Sequence, residues 1–329
     1  MKNIEQINRR SLLLGAGAAA LGASVTSRVA AQAAWPSKPV KVVVPYAPGG
    51  GADTLARLHF GRVSEILRQP FIVDNRGGGA GTIGANVVAK AAPDGYTILH
   101  DATAFSVNPS LLPTLPYDSA KDFIPVFLAA TVPNLLVVTP SVEARTVSDI
   151  IELAKKSDGL DWASSGNGTV QHLALELFRS LASIRLNHVP YKGGAPALND
   201  LIGGHVRFMF SNAAASTPHV QAGKLKAIAH TGTGRLAAFP DLPAMSETVP
   251  GCVAYEWNGV FLPAGTPDAI VTRLNAVLNE VQRETAVADR LSALSVETRP
   301  NSPSDFASFL TNETQKWAKV VKDANVKPE

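Results

Sequence analysis

Val42-Val43-Val44-Pro45-Tyr46-Ala47-Pro48-Gly49-Gly50-Gly51-Ala52-Asp53-Thr54 is the stretch on which the reading of this chain turns. A run of β-branched residues stops at a proline, passes consecutive glycines and enters an apolar pattern of helical spacing: strand, open loop, helix start. Asp53 is placed to cap that helix, its carboxylate accepting the free N–H of a residue two or three positions further on. The glycines leave backbone N–H groups uncovered at the positive end of a helix, which suits a carboxylate or a phosphate. A plain tight βα turn fits the same residues as well, so the rest of the chain decides.

Working outward, the unit recurs. Leu55, Leu58, Val63, Ile66 and Leu67 give residues 54–67 one apolar stripe at helical spacing. Phe71-Ile72-Val73 is a second strand, ending at Asn75-Arg76-Gly77-Gly78-Gly79-Ala80-Gly81 before a helical segment, 82–90, and a strand at 96–99. A proline-rich connection, 108–125, leads to a second α/β series that begins at 135–138. There Thr146-Val147-Ser148-Asp149 reads as a capping box opening a helix to Lys156. Trp162-Ala163-Ser164 is a strand, Ser165-Gly166-Asn167-Gly168-Thr169 a polar loop, and 170–180 a helix. His188-Val189-Pro190-Tyr191-Lys192-Gly193-Gly194-Ala195-Pro196 is a further loop, with Pro196 suited to a first helical position. Strands follow at 208–210, closed by Ser211-Asn212, and at 225–229. Thr266-Pro267 caps a long amphipathic helix, and Ser304 a final one ending near Lys322. Two such series predict an α/β fold with a ligand cleft between two lobes.

The first 33 residues stand apart. Arg9-Arg10 precedes an apolar run, 12–23, too short to span a bilayer, and Ala31-Gln32-Ala33 supplies a small-x-small cleavage pattern. That is an export signal, and the arginine pair fits the twin-arginine route. The segment holds Lys2, Arg9, Arg10 and Arg28 against Glu5, so its removal takes Lys+Arg from 30 to 26 and Asp+Glu from 27 to 26. A nearly neutral mature chain has no basic stripe for nucleic acid. Cys252 is the only cysteine, which excludes an intrachain disulfide and a cysteine-rich metal site. The expected product is a periplasmic protein beginning at Ala34.

Enzyme machinery is hard to assemble from the remainder. Gly79-x-Gly81-x-x-Gly84, with Asp101 about twenty residues on, fits the dinucleotide fingerprint, so an exported nicotinamide- or flavin-dependent oxidoreductase stands as the alternative function. The fingerprint follows the second strand, however, where a first would be expected. No Gly-x-Ser-x-Gly and no His-x-x-x-His occur. His172, in the first turn after Gly168-Thr169, suits a ligand-facing role and a structural one equally.

Trp35-Pro36-Ser37-Lys38-Pro39, Val44-Pro45-Tyr46-Ala47-Pro48-Gly49-Gly50, Asp74-Asn75-Arg76 and Ala91-Ala92-Pro93-Asp94-Gly95-Tyr96-Thr97 resemble the tripartite tricarboxylate transporter substrate-receptor family, the Bordetella uptake gene family. So do Asn108-Pro109-Ser110-Leu111, Leu115-Pro116-Tyr117-Asp118, Ala163-Ser164-Ser165-Gly166-x-Gly168-Thr169 with His172, and His188-Val189-Pro190-Tyr191-Lys192-Gly193. Pro218-His219 through Ala222-Gly223-Lys224-Leu225 and Pro263-Ala264-Gly265-Thr266-Pro267 complete a collinear series over the mature chain. The resemblance implies a non-enzymatic, monomeric receptor of type II periplasmic-binding-protein fold, without cofactor or metal, that serves a membrane transporter component. Its lobes would be 34–134 with 262–329, and 135–261. It also implies two pincer loops around a small organic carboxylate: Tyr46, Ala47, Gly49, Gly50 and Asp53 in one, Ser164, Ser165, Gly168, Thr169 and His172 in or beside the other. Thr103, the Gly194-Ala195 turn and the Ser211-Asn212 strand end complete the implied pocket. The family usually has Asp-Asn where this chain has Ser211-Asn212. Losing that carboxylate disfavours ligands whose ammonium or hydroxyl used it.

Overall fold

The computed structural model describes residues 35–46, 48–49, 51–191, 193–293 and 295–328. The expected export signal, and Ala47 and Gly50 of the expected site, lie outside the described residues. Lys38–Glu329 form one compact unit.

Strand β1 (Val40–Val44) lies between β2 (Phe71–Asn75) and β3 (Thr97–Ala102), parallel to both. Its valines suit a strand covered on both faces, and Val40, Val42, Val43 and Val44 are all buried. Helices α1 (Gly51–Leu67) and α2 (Thr82–Ala89) make the crossovers that parallel pairing requires. The second series repeats the scheme. There β5 (Leu160–Ser164) runs parallel to β6 (Leu186–Pro190) and β7 (Phe208–Asn212). The crossovers are α5 (Val170–Ala182) and α6 (Gly194–Gly203). Before β5 comes α4 (Val147–Lys155), whose start is the expected capping box of Thr146 with Asp149. After β7 come α7 (Ala213–Gln221), β8 (Lys226–His230) and the short α8 (Met245–Thr248).

One long strand belongs to both halves. In β4 (Phe123–Val138), residues up to Pro133 pair antiparallel with β9 (Tyr255–Pro263), while Asn134 onward pairs with β7 and β8. The order is β2-β1-β3-β9-β4-β7-β5-β6, with β8 also on β4. The sheets are therefore mixed, not purely parallel. Strand β4 and the preceding α3 (Ala104–Leu111) occupy much of the stretch expected to be a proline-rich connection. Prolines are tolerated there because Pro125 sits at a register shift of the ladder and Pro133 where β4 changes partners. Strand β9 pairs with β4 in the first sheet from Tyr255 on.

The closing segment is helical: α9 (Asp268–Arg283), α10 (Thr285–Ala293) and α11 (Pro303–Asp323). Ser302, not Ser304, caps α11, in a capping box with Asp305 and with Pro303 at the first helical position. Pro196, expected to open a helix, is instead the third residue of α6. Helix α11 lays Phe306 into the aromatic core of the first sheet and Trp317 and Val321 into the core of the second. Cys252 is buried in the second core, where burial pushes its thiol up to about 12, in keeping with a small hydrophobe. No helix among the described residues is long and apolar enough to cross a membrane.

Candidate ligand-binding cleft

The loop after β1 is built around Asp53. That residue is not the N-cap of α1, because the helix already begins at Gly51 and Asp53 lies inside its first turn. Its carboxylate reaches back, accepting the Gly49 N–H at 2.9 Å, the Arg57 Nε–H at 3.0 Å and the Asn75 Nδ2–H at 3.0 Å. These partners hold the Asp53 carboxyl below its usual range despite its burial. Asn75 also donates to the Tyr46 carbonyl, which ties the loop to the end of β2. One of the backbone donors expected to meet an anion is therefore engaged by the protein itself.

Tyr46 points the other way, its hydroxyl donating to Asp101 Oδ1 at 2.8 Å. Burial pushes the Asp101 carboxyl up to about 7, the Ala102 N–H and the Tyr46 hydroxyl offsetting only part of that cost. Asp101 is thus committed to the loop's own tyrosine, and the glycines of the fingerprint serve packing. A side chain on Gly84 would stand 2.8 Å from Pro45 Cβ and 3.0 Å from the Arg76 carbonyl. Between pH 3.8 and about 7 the folded form keeps a proton on Asp101 that the unfolded form has lost, so this group's contribution to stability falls as pH rises through that window. An Asp101→Asn variant keeps an acceptor for Tyr46 but cannot ionise. By scanning fluorimetry its melting temperature relative to the parent should be higher at pH 8 than at pH 5; an equal gap at both would refute the assignment.

The second loop, 164–169, is equally self-satisfied. The Gly166 N–H donates to Ser164 Oγ at 3.1 Å and the Gly168 N–H to His172 Nδ1 at 3.1 Å. The Thr169 hydroxyl donates to the Gly166 carbonyl at 2.7 Å, and its oxygen caps α5 at the His172 N–H. Ser164 Oγ lies 2.6 Å from His188 Nε2, and the His172 and His188 rings stack with centroids 3.8 Å apart. Burial, with His172 nearby, pulls His188 down to about 4, so it is neutral at neutral pH. His172 is therefore positioned first as a loop support.

The turn carrying Gly194 and Ala195 lies against this loop. Gly193 donates its N–H to the Ser165 carbonyl at 3.1 Å, and Ser165 Oγ would be 3.3 Å from a side chain on Gly194. Thr103 directly follows β3, its hydroxyl oxygen accepting the Trp257 N–H at 2.9 Å. Ser211 is buried, and Asn212 caps α7 through the Ala214 N–H while its Nδ2–H donates to Glu256 Oε2 at 2.8 Å. Gln171 donates to the same oxygen at 3.3 Å and to Asn134 Oδ1 at 3.0 Å.

Two participants escape the reading of the sequence. Helix α3 meets both loops: Asn108 donates to the Ala80 carbonyl beside the first, and Leu111 Cδ2 packs under Gly168 of the second. Glu256 is the other, and its signal was present, since it is the only charged residue of β9. Outside the first loop runs a groove of about 510 Å³ walled by Asp53, Arg57, Arg62 and Arg290. Arg57 and Arg62 are already paired there, with Asp53 and with Glu65 and Glu284.

Two α/β halves sharing one crossing strand, with polar loops at the strand ends, define a two-lobed solute-binding protein of the periplasmic type. The chain belongs to the tripartite tricarboxylate transporter receptor family, whose model, described as "Tripartite tricarboxylate transporter family receptor", matches residues 55–326. It is 37% identical to "UPF0065 protein in tcbD-tcbE intergenic region" of Pseudomonas sp. (strain P51), covering 97% of this chain and 95% of the relative. It is 34% identical to protein BugT of Bordetella pertussis, covering 98% and 99%. Among solved structures, "R. palustris Rpa4515 with adipate" matches at 38% identity and a TM-score of 0.83, over 90% of this chain and 100% of that one. MatC from Rhodopseudomonas palustris with bound malate matches at 33% identity and a TM-score of 0.78, over 87% and 100%.

Proposed function

We propose that this chain is a periplasmic receptor that closes on a small organic carboxylate and hands it to a membrane transporter component. Family membership and the adipate- and malate-bound relatives support a carboxylate ligand. The observation that supports these particular residues is that α3 meets polar strand-end loops of both halves, through Asn108 at Ala80 and Leu111 at Gly168, and strand ends are where ligands gather. The ligand would lie among Tyr46, Gly49, Thr103, Ser165, Thr169, Gly194, Ala195 and Asn212, with Asp53, Ser164, Gly168 and His172 holding the loops in shape. Ala47, Gly50 and Ser211 belong to the same proposal.

The lobes divide where strand partners change: one comprises 34–133 with the segment from Tyr255 on, the other the stretch between. Closure is a rigid-body motion about the crossing strand. Residues 1–33 act as an export signal cleaved after Ala33, and the mature receptor works as a monomer without cofactor.

One periplasmic preparation tests the proposal. N-terminal sequencing should read Ala34 first. A thermal-shift screen over mono-, di- and tricarboxylates should raise the melting temperature with at least one of them, since a ligand bound only by the folded form stabilises it. A flat screen over all of them would sink the receptor reading, and recovery of a stoichiometric flavin or nicotinamide would favour the oxidoreductase instead.

A further inference from the structure

Building on the carboxylate-receptor reading, we infer that Glu256 is a specificity-determining group of the cleft. It selects carboxylic acids whose other end carries a hydrogen-bond donor, an ammonium above a hydroxyl, and disfavours dicarboxylates. Glu256 is the second residue of β9, just after the chain leaves the second half. Its Oε2 accepts from Asn212 at the end of β7 and from Gln171 in the first turn of α5. Gln171 is itself held by Asn134, which fixes the amide that faces the carboxylate. Gln171 is two residues from Thr169 of the second loop, and Trp257, the next residue along β9, donates its N–H to Thr103 at the end of β3 at 2.9 Å. A ligand held between the loops therefore comes close to this carboxylate.

What Glu256 lacks is as telling as what it has. Both of its partners are neutral amides, and both bond the same oxygen. Among the described residues no lysine or arginine forms an ion pair with it, and Oε1 receives no hydrogen bond. The side chain is half-buried, so water screens its charge only in part. A ligand carboxylate brought beside it meets an uncompensated like charge. An ammonium or hydroxyl supplies the donor that Oε1 is open to accept.

The test uses pairs of acids with the same carbon chain that differ only at the far end: adipate with 6-aminohexanoate, and succinate with 4-aminobutanoate, with hexanoate as a control. Binding is measured by calorimetry on the parent and on Glu256→Gln, which keeps the size and an acceptor for Asn212 but no charge. The parent should prefer the amino member of at least one pair by about tenfold or more. In Glu256→Gln that preference should disappear, with the diacid gaining affinity. Glu256→Asp should keep the preference, which leaves the test decisive if the glutamine variant folds poorly by circular dichroism. A parent that prefers the diacids, or a ratio unchanged in Glu256→Gln, overturns the inference and leaves the receptor reading standing. If none of these acids binds while the wider carboxylate screen finds a ligand, the inference is overturned and the receptor reading stands; if that screen is flat as well, both fail.

Discussion

Calorimetry on a Gly168→Val variant is expected to show carboxylate binding weakened by about a hundredfold or more. Gly168 sits at φ +72°, in the left-handed region, and a Cβ there would stand 2.2 Å from Leu111 Cδ2. A β-branched residue cannot adopt that backbone without a cost of roughly 1–2 kcal/mol, and overpacking against Leu111 adds about 1–3 kcal/mol. The loop escapes both by moving, which breaks the Gly168 N–H to His172 bond and shifts the neighbouring loop donors. Thr169→Ala sets the scale. It loses the cap on α5 and the bond to the Gly166 carbonyl, a stability cost of about 1 kcal/mol, but leaves the backbone free to keep its shape. The glycine variant should therefore lose much more affinity than the threonine one, with both folded by circular dichroism. Near-normal binding by Gly168→Val would mean that this loop is an ordinary βα turn and the ligand sits elsewhere.

Phe306→Ala is expected to be the costliest single truncation on the first-sheet side, about 3–5 kcal/mol in urea unfolding, with little change in ligand preference. The ring is fully buried at the start of α11, its centroid 5.1 Å from that of Phe261 and 5.8 Å from that of Trp257. Phe105 stacks on Phe261 at 4.5 Å and Phe123 lies edge-on to Phe105, so the cluster joins α3, β4, β9 and α11. Removing one ring from such a set leaves a cavity that rigid neighbours cannot fill. A loss below about 1 kcal/mol would show that α11 holds its place by other contacts.

The α/β units were legible because each rests on local chemistry: a β-branched run for β1, a short apolar run closed by polar residues for β7, stripes at helical spacing for α1 and α9, and a capping box at α4. What escaped the reading was decided by distant partners. Strand β4 starts inside a proline-rich segment, and only its pairing with β9 makes that segment extended. Asp53 has the composition of a cap, but Gly49, Arg57 and Asn75 recruit its carboxylate backward. The glycine fingerprint satisfied a local pattern, while its glycines serve the approach of Pro45 and its acidic residue serves Tyr46. Within the cleft, loops were visible as composition. Which of their N–H groups the fold itself consumes was not.

Helix α11 reaches from one core to the other, with Phe306 near its start and Trp317 and Val321 near its end. A helix of that length is a stiff rod of about 30 Å. Strand β4 runs across the same boundary, so the molecule is braced there on a strand as well as on this helix. Strands yield to twist more readily than to bending in the plane of their hydrogen bonds. Movement of the two halves is therefore confined to one compliant direction, a torsion spring in place of a free joint. If the halves close on a ligand as proposed, such a spring would store energy on one stroke and return it on the other, and would make the geometry of each encounter reproducible.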